Sequence, residues 1–485
     1  MKIFISKVLI FLLALLLVIP LASCSNENEK QPEVTNNNEV EEDETDELDL
    51  PHETYGGRLV TVYTWKPYGY EFVLTEEDAY ANIVTQALWE RDMFVEEKLD
   101  VDIEYHVYSD DPEAGKNEQF VNDLQASAMV GDGAYDYVLQ QNAWAGIATL
   151  RGLYLNLNEN EEMDLSRSYW DYRLVEATQL NDKVYFASGD IGTTCTTNVH
   201  CLNYNKSVLE DRGLEDPYDL IQNNQWTWAK VFEMSKDLYI DTGDDPTGID
   251  DTYGFVAGGL GALDSIYFSA GLSMIERDED GFFAVSPDYR SERTSTFLKQ
   301  IKDFFDGDDA LYYNGDARPV YMAGLSLFNI EVVGTMSQYV QAELPFKMGA
   351  APLPKYNEEQ DGYYANLTNN YSLVSIPFDC TDPEVSGAVL EYLAKYGERE
   401  VIPALFEQTY KLQYSETLRD AELFDLIRDS RTYDMGLLYG VSTFQFKFAR
   451  CVYGSMEWVS TAVSTISEAE NTLIPELEKL AELKR

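Results

Sequence analysis

Short apolar runs and amphipathic stretches alternate along the chain from about residue 55 onward. Apolar runs at Leu59–Trp65, Val101–Tyr108 and Tyr135–Leu139 have the length and the β-branched and aromatic content of strands. Between them, apolar residues recur every three or four positions in Glu76–Leu99 and Asn117–Met129, which predicts two helices that each bury one face. This strand–helix–strand–helix–strand order predicts a parallel sheet with helical crossovers, and therefore an α/β protein.

The rest of the chain continues the alternation in shorter units. Further strands are predicted at Val184–Ser188, Val199–Tyr204, Tyr253–Val256, Leu325–Val333 and Tyr371–Pro377. Further helices are predicted at Ser166–Gln179, Trp228–Leu238, Leu263–Ala270, Glu292–Phe305 and Asp382–Gly397, with a last one from about Ser455. For the helix Asp382–Gly397, Asp382 is the predicted cap and Gly397 is the predicted end.

The first 24 residues have the pattern of an export signal. Lysines precede Val8–Ile19, an apolar run shorter than the ~20 residues of a membrane-spanning helix. The next segment, Leu21–Cys24, resembles the lipobox of bacterial lipoproteins, which implies cleavage before Cys24 and lipidation of its thiol. Residues 25–54 are rich in acidic and poor in apolar side chains, so we predict a disordered tether.

Composition limits the partners of the folded part. A chain of 485 residues is too long for one ordinary core, which predicts two lobes. A formal net charge of −51 is repelled by nucleic acids and by anionic membrane surfaces. With only 3 His and no C-x-x-C pair, no metal site is expected. Cys195 and Cys201 are too far apart to bond along an extended strand, although a bent loop would allow a disulfide.

Common catalytic and nucleotide-binding motifs are missing from the sequence. It has no H-E-x-x-H, no P-loop and no G-x-S-x-G, and the glycines of Gly258–Gly261 do not have dinucleotide-binding spacing. The acidic loop Asp241–Asp251 does not match the order of calcium ligands in an EF-hand. The absence of these motifs agrees with a binding protein, and no cofactor is predicted. Because there are 86 Asp and Glu residues, a catalytic carboxylate pair of the glycosidase type stays open.

Candidate ligand contacts follow two of the predicted strands. Ligands of open α/β sheets bind beyond the carboxyl ends of the strands. Trp65 and Lys66 end the first strand, and Gln141, Asn142 and Trp144 follow the third. Aromatic faces suit the apolar C–H faces of sugar rings, and amides suit hydroxyl groups, so this combination favours a small polar ligand.

Three segments together resemble a known family. The stretch Lys183–Trp228 runs strand, polar loop, strand ending in Tyr-Asn-Lys, short helix, Gly-Leu, Pro and Thr-Trp. Upstream, Gly131–Asp136 is a Gly-Asp-Gly-x-x-Asp turn, and downstream Gly349–Pro354 has the form G-x-x-P-L-P. In this order they resemble the extracellular solute-binding proteins that feed ABC importers, the carbohydrate-binding branch in particular.

The resemblance implies a two-lobed, periplasmic-binding-protein-like fold of type II. Both lobes would be discontinuous in sequence, with 55–186 plus 333–370 in lobe one and 187–332 plus 371–485 in lobe two. The crossings between them would form a hinge, and closure of two lobes over a ligand is a common motion of such architectures.

The resemblance also implies a function. The chain would be a lipid-anchored monomer on the extracellular face of the cell membrane, which captures a mono- or oligosaccharide and delivers it to the permease subunits of an ABC importer. Trp65, Trp144, Tyr267 and Phe444 fall where the family places aromatic residues that face the ligand. The predicted ligand-binding residues are Trp65, Gln141, Asn142, Trp144, Asp190, Asp264, Tyr267, Asn329, Glu331 and Phe444.

Two kinds of alternative stay open. The loops 241–251 and 306–318 are longer than in the better-known sugar binders, and the Tyr-rich segment 410–439 departs from them. A peptide, an amino acid or a polyamine is therefore an alternative ligand in the same fold. A surface glycoside-active enzyme or a sensor lipoprotein without a permease is the alternative in role.

Overall fold

The computed structural model describes residues 50, 54–65, 71–72, 74–108, 118–243, 245–279, 281–368 and 370–482. The predicted export signal, the lipidation at Cys24, nearly all of the tether and Lys66 lie outside these residues. Leu48–Arg485 forms one compact unit. Within the described part of the chain, the search for a helix long and apolar enough to cross a membrane finds none.

Most strands of the described residues belong to two sheets. They are β1 (Arg58–Thr64), β2 (Val101–Val107), β3 (Tyr137–Gln141), β4 (His200–Asn205), β5 (Tyr253–Gly258), β6 (Ile275–Arg277), β7 (Phe283–Val285), β8 (Ala310–Tyr313), β9 (Ser326–Val332), β10 (Met348–Pro352), β11 (Ala365–Asn366), β12 (Ser372–Ser375) and β13 (Arg431–Thr432).

The two sheets have different strand orders. The first is β12–β3–β1–β2, in which β1 runs parallel to β2 and β3, and β12 runs antiparallel to β3. The second is β10–β4–β9–β5–β8, in which β5 runs parallel to β8 and β9, and β4 runs antiparallel to β9 and β10. The pairs β6–β7 and β11–β13 are small separate sheets. The fold class is therefore α/β, and each sheet forms the centre of one lobe.

Helices connect the strands and cover the sheets. The α-helices of the described residues are Glu76–Ala79, Ile83–Leu99, Gln119–Val130, Asn142–Leu150, Tyr172–Thr178, Thr194–Thr197, Lys206–Arg212, Pro217–Gln222, Trp228–Met234, Gly259–Ser269, Glu292–Phe305, Arg318–Met322, Met336–Gln341, Pro383–Tyr396, Leu418–Asp429, Met435–Leu438, Val441–Phe444, Lys447–Val452, Trp458–Glu468 and Ile474–Glu482. Wider π-helical turns extend three regions, at Gly397–Val401, Pro403–Gln413 and Ala469–Leu473.

The first predicted helix is broken into two. Asn82 has extended backbone angles, and its side-chain oxygen accepts the amides of Val84 and Thr85, so it starts a new helix instead of continuing the first. As a result Tyr80, placed by periodicity on the buried stripe, is 77% exposed. The break directs the start of helix Ile83–Leu99 toward the space between the lobes, where Asn82 lines a cavity.

Two strands belong to the opposite sheet from the one predicted. β10 pairs with β4 in the second sheet, although the sequence predicts 333–370 for lobe one. β12 pairs with β3 in the first sheet, although 371–485 is predicted for lobe two. The predicted assignment of both strands is therefore wrong. Each is a short buried run whose own residue pattern does not identify its partner strand.

Two of the segments in which the chain crosses between the lobes are adjacent to each other. One connects the first lobe to β4, and the other connects β10 to β12. They run antiparallel to each other, with single bridges between Ala187 and Val374 and between Val199 and Leu367. Ser188 also donates its hydroxyl hydrogen to the Ser372 carbonyl at 2.7 Å. These two segments thus form a hydrogen-bonded part of the hinge.

A buried carboxylate ties both crossings to the first lobe. Glu71 is fully buried, and one of its oxygens accepts the backbone amides of Thr193 and Thr194, the latter at 2.9 Å. Its other oxygen accepts the hydroxyl of Ser372 at 2.8 Å. The fully buried Arg91 donates to the carbonyls of Glu71 and Ile191. Together these bonds hold the start of the first crossing and the end of the second in one place.

Helix Pro383–Tyr396 differs from its predicted caps. The side chain of Asp382 pairs with Arg58 and makes no capping bond. Gly397 has φ −56° and continues into the wider helical turn. A Cβ at this position would lie 1.8 Å from the carbonyl oxygen of Asp190, so close backbone contact, not helix termination, requires the glycine.

The cysteines carry no disulfide in the described residues. Cys195, Cys201, Cys380 and Cys451 are free thiols, and the first two are buried. Cys195 lies in the one-turn helix Thr194–Thr197, and Cys201 lies in β4. The bend between these two elements does not join the two thiols in a disulfide.

Candidate ligand-binding cleft

Two adjoining cavities of about 900 and 1270 Å³ lie between the sheets. Trp65 directly follows β1 and Gln141 ends β3, and both line the smaller cavity. Gly258 ends β5 and Glu331 lies near the end of β9, and both line the larger one. The carboxyl ends of parallel strands from both lobes therefore face one cleft, as expected for α/β sheets. We call the two parts the tryptophan cavity and the Glu331 cavity.

Residues of the crossings and of helix Gly259–Ser269 join the two cavities. His200, Gly261, Thr368 and Asn370 line both of them. Three of these four belong to the crossings or to the strand that directly follows one. The cleft is thus continuous, and the chain segments that connect the lobes form its floor.

An aromatic cluster forms one wall of the tryptophan cavity. The rings of Trp65 and Trp144 have centroids 4.9 Å apart at an interplanar angle of 58°. Trp144 stacks on Phe120 at 5.0 Å and 23°, so the core fixes its orientation. Trp65 and Trp144 are 8% and 5% exposed. They offer a rigid apolar surface of limited area, which suits the C–H face of a ring.

Amide and hydroxyl groups lie beside this wall. Gln141 donates its amide to the side-chain oxygen of Asn370 at 3.1 Å, across the junction between β3 and the crossing. Asn198 donates to the Asn370 carbonyl at 3.0 Å and fixes that segment. Asn366 and Thr368 line the same cavity. Such groups bind ligand hydroxyls in both directions, as donors and as acceptors.

His200 lies at the junction of the cavities as a neutral imidazole. Its Nδ1 lies 3.0 Å from the Asn366 carbonyl oxygen, and since a carbonyl only accepts, Nδ1 carries the proton. Burial lowers the pKa of His200 to about 4, against a smaller opposing effect of this hydrogen bond. Nε2 is consequently an acceptor at neutral pH.

Asp264 lines the tryptophan cavity, but its oxygens are used within the protein. One accepts the amide of Phe446 at 2.7 Å and the other the amide of Ala449 at 3.1 Å. Burial raises the pKa of Asp264 to about 7, and these two amides oppose the rise. The carboxyl group therefore anchors the start of helix Lys447–Val452, and through it places Gln445 and Phe446 on the cavity wall.

The Glu331 cavity contains a different set of polar groups. Arg318 is fixed by Asp316, with Nε 2.7 Å and Nη2 2.8 Å from the two carboxylate oxygens. Its Nη1 donates to Gln338 at 2.9 Å. Thr335 donates its hydroxyl to Glu331 at 3.4 Å. Burial raises the pKa of Glu331 to about 7, and the charge of Arg318 opposes that rise.

The structure brings part of the predicted site together. Trp65, Gln141, Trp144 and Asp264 line the tryptophan cavity, and Glu331 lines the neighbouring one. The remaining candidates, which line neither cavity, are Asn142, Asp190, Tyr267, Asn329 and Phe444.

The apolar candidates outside the cleft belong to the core of the second lobe. Tyr267 is fully buried and donates its hydroxyl to the Ser273 carbonyl at 2.7 Å. Phe444 is fully buried and packs edge-on against Tyr289 at 5.4 Å. Both lie on helices whose opposite residues approach the cleft, and sequence periodicity alone does not distinguish a core face from a cleft face.

The polar candidates outside the cleft are explained by local structure. Asn142 starts helix Asn142–Leu150 and is 1% exposed, so it points into the lobe. Asn329 is fully buried in β9 and accepts the hydroxyl of Tyr339 at 2.8 Å. Asp190 lies behind the hinge beside Gly397, where burial raises its pKa to about 7 and Arg431 opposes the rise.

The crossing between β11 and β12 is the part of the site that sequence patterns did not indicate. Asn366, Thr368 and Asn370 line the tryptophan cavity, together with His200 and Gln445. A signal was present, since the run Asn366–Asn370 contains Asn-Leu-Thr-Asn-Asn between two apolar segments. A polar run of this kind is also typical of an ordinary surface loop, so only the tertiary structure identifies it as cleft floor.

Comparison with known proteins supports the fold. No protein-family model matches the sequence, and no curated protein sequence matches it. Among solved structures, a cyclo/maltodextrin-binding protein complexed with maltotetraose matches with a TM-score of 0.58 at 13% identity, over 87% of this chain and 100% of that one.

Two further solved structures give similar values. The lacto-N-biose-binding protein of an ABC transporter from Bifidobacterium longum matches with a TM-score of 0.56 at 13% identity, over 87% of this chain and 99% of that one. A maltose/maltodextrin-binding domain from Bdellovibrio bacteriovorus, bound to maltotriose, matches with a TM-score of 0.53 at 15% identity, over 86% and 99%. The predicted two-lobed, periplasmic-binding-protein-like fold of type II is therefore confirmed.

Proposed function

We propose that this chain is the extracellular solute-binding protein of an ABC importer, and that it captures an oligosaccharide between its lobes and delivers it to the permease. The observation that carries the proposal is the composition of the cleft. The Trp65–Trp144 wall stands beside Gln141 and Asn370, at the carboxyl ends of strands from both sheets. Rigid aromatic surface next to uncharged hydrogen-bonding groups suits a polyol.

The size of the cleft and the related structures favour more than one sugar ring. The two cavities are joined, and the larger alone has a volume of about 1270 Å³, above the range typical of drug-sized ligands. The three similar proteins described above were solved with maltotetraose, lacto-N-biose and maltotriose bound. An oligosaccharide is thus our choice over a single sugar.

The mode of action is binding, not turnover. Both oxygens of Asp264 hold backbone amides, Asp316 is engaged with Arg318, and Glu118 pairs with Arg151. Glu331 therefore lacks the second free carboxylate that hydrolysis of a glycosidic bond requires. The lobes would close over the sugar by motion at the paired crossings. Lipid anchoring through Cys24 would hold the protein at the membrane, close to the permease.

Thermal unfolding of residues 48–485 with a panel of neutral oligosaccharides tests the ligand class. A sugar present at a hundred times its Kd stabilises the protein by about 2.7 kcal/mol, which raises the melting temperature by a few degrees. We expect malto-oligosaccharides or related neutral sugars to do so. Stabilisation by peptides or amino acids alone would refute the sugar proposal, and release of shortened sugar would establish an enzyme instead.

Variants of the exposed amides connect the binding to this cleft. Replacing Gln141 or Asn370 by Ala removes hydrogen-bonding groups and should weaken sugar binding roughly tenfold by calorimetry. Asn471→Ala removes an exposed amide from a distant helical turn and serves as the control. Equal affinity of all three variants would place the ligand elsewhere.

A further inference from the structure

Charged side chains lining the tryptophan cavity have partners within the protein. Asp264 accepts two backbone amides. Glu118 pairs with Arg151, which also donates to Asn122 at 2.7 Å. These charges are therefore compensated before any ligand arrives, and this part of the cleft is suited to an uncharged group.

The Glu331 cavity is different, because the carboxylate of Glu331 has no ion-pair partner among the described residues. Asp316 and Arg318 compensate each other through two short hydrogen bonds. Among the described residues, Glu331 forms no ion pair, and its side chain is held only by the backbone amide of Val332 and, at a long 3.4 Å, by the hydroxyl of Thr335. Glu331 is only partly exposed, so water compensates the charge of its carboxylate only to a limited extent.

We infer that the Glu331 cavity receives a positively charged group of the ligand, a primary ammonium such as that of an amino-substituted sugar. The inference rests on the proposed function, and it specifies the chemistry of one end of the ligand. A half-buried carboxylate that lacks a partner is costly, and an ammonium brings both opposite charge and three hydrogen-bond donors. Arg318 compensates Glu331 only in part, because Asp316 and Gln338 hold its guanidinium in place.

The pH dependence follows from the groups that face Glu331. They are Arg318 and Asp316 at the edge of the cavity, Cys201 across the β4–β9 pair, and Tyr339 from the following helix. Burial raises the pKa of Glu331 to about 7, so the carboxylate form increases between pH 6 and pH 8. Affinity for a fixed cation should rise over this range, since Arg318 and Asp316 keep their charges.

The experiment compares matched probes on residues 48–485. Maltotriose and its 6-amino-6-deoxy derivative differ by one amino group, and spermidine supplies alkylammonium groups without a sugar. Alkylammonium groups stay charged between pH 6 and pH 8. Binding is measured by calorimetry at pH 6 and pH 8 for the wild type, for Glu331→Gln, and for Glu210→Gln. Glu210 is exposed on helix Lys206–Arg212 and controls for the loss of one negative charge.

The expected result is a preference for the amino derivative over maltotriose of about tenfold at pH 8, smaller at pH 6, and absent in Glu331→Gln. Glu210→Gln should keep it. Equal binding of the two sugars by the wild type would overturn the inference, and so would a preference that survives in Glu331→Gln. Failure of both amine probes to bind would overturn it as well.

The same data separate this inference from the proposed function. If maltotriose binds and the amino group adds nothing, sugar capture stands and the cationic subsite falls. If spermidine binds in a Glu331-dependent way and neither sugar does, the subsite stands and sugar capture falls.

Discussion

Asp264 and Glu331 show how two carboxyl groups of one cleft acquire different tasks. Burial raises the pKa of both to about 7. The amides of Phe446 and Ala449 oppose the rise for Asp264, whereas the charge of Arg318 is the largest effect that opposes it for Glu331. The first group therefore holds the start of a helix, and the second is the carboxyl group for which we infer a cationic partner.

Asp264→Ala should destabilise the second lobe. The change leaves the amides of Phe446 and Ala449 without their acceptor at the start of helix Lys447–Val452, at a cost of about 1–3 kcal/mol. Urea unfolding would measure the loss. Asp264→Asn keeps one acceptor oxygen and should lose less. Equal stability of the Ala variant and the wild type would contradict the anchoring role.

His200 should make stability depend on pH below neutrality. Its pKa is about 4 in the folded protein and about 6.5 when unfolded, so between these values the unfolded chain binds more protons. The contribution of His200 is complete above pH 6.5 and is lost as the pH falls toward 4.

His200→Gln removes the titrating group, while its amide can still donate to the Asn366 carbonyl. The free energy of unfolding of this variant, measured in urea from pH 7 to pH 4.5, should fall less steeply than that of the wild type. Parallel curves would show that His200 is not held neutral in the folded state.

Half of the predicted ligand-binding residues line the cleft, and the reason is geometric. Trp65 and Gln141 were found because they end strands of a predicted parallel sheet, where ligands bind. Tyr267 and Phe444 were misplaced because a helix in a two-lobed protein has a core face and a cleft face that are both apolar. Asn370 was missed because its position depends on the crossing, not on its neighbours in sequence.

At the scale of elements, local patterns predicted the type better than the ends. Glu292–Phe305 has the predicted bounds, and Ser291 caps it by accepting the amide of Thr294. Errors arose where a side chain or a contact overrode the pattern. Asn82 starts a new helix inside a predicted one, and Gly397 is required by the Asp190 carbonyl that lies against it.

Glu71 should control the local stability of the hinge. Glu71→Ala removes the acceptor of the Thr193 and Thr194 amides and of the Ser372 hydroxyl. Hydrogen exchange at Thr193 and Thr194 should accelerate, with a loss of about 1–3 kcal/mol in global stability. Glu97→Ala, an exposed change on helix Ile83–Leu99, is the matched control. Unchanged exchange at both amides would exclude the clamp.

At the scale of the whole molecule, the exchange of β10 and β12 decides which segments form a lobe. β12 follows the strands of the second sheet in sequence but belongs to the first sheet. Helix Pro383–Tyr396, which comes directly after β12, packs on helix Ile83–Leu99 of the first lobe. Helix Leu418–Asp429 then packs on β10 in the second lobe. Pairing between such distant segments has no local signature, which is why the predicted boundaries failed there.

The fragment 48–199 should therefore not fold as an independent lobe. It lacks β12, so β3 would have an open edge, and open apolar edges promote aggregation. We expect a less soluble product with little cooperative thermal unfolding by circular dichroism. The fragment 48–485 is the positive control. Cooperative unfolding of 48–199 by itself would show that β12 is dispensable.

The late position of β12 also sets the earliest time at which the first sheet can be completed. β3 ends at Gln141, but its partner strand β12 ends at Ser375. More than two hundred further residues must therefore be synthesised before the first sheet can be completed. Contacts of such long sequence separation slow folding. During that delay the paired crossings do not exist either. The first sheet and the paired crossings can therefore form only after Ser375 has been made, and the cleft wall at Gln445 and Phe446 follows later still.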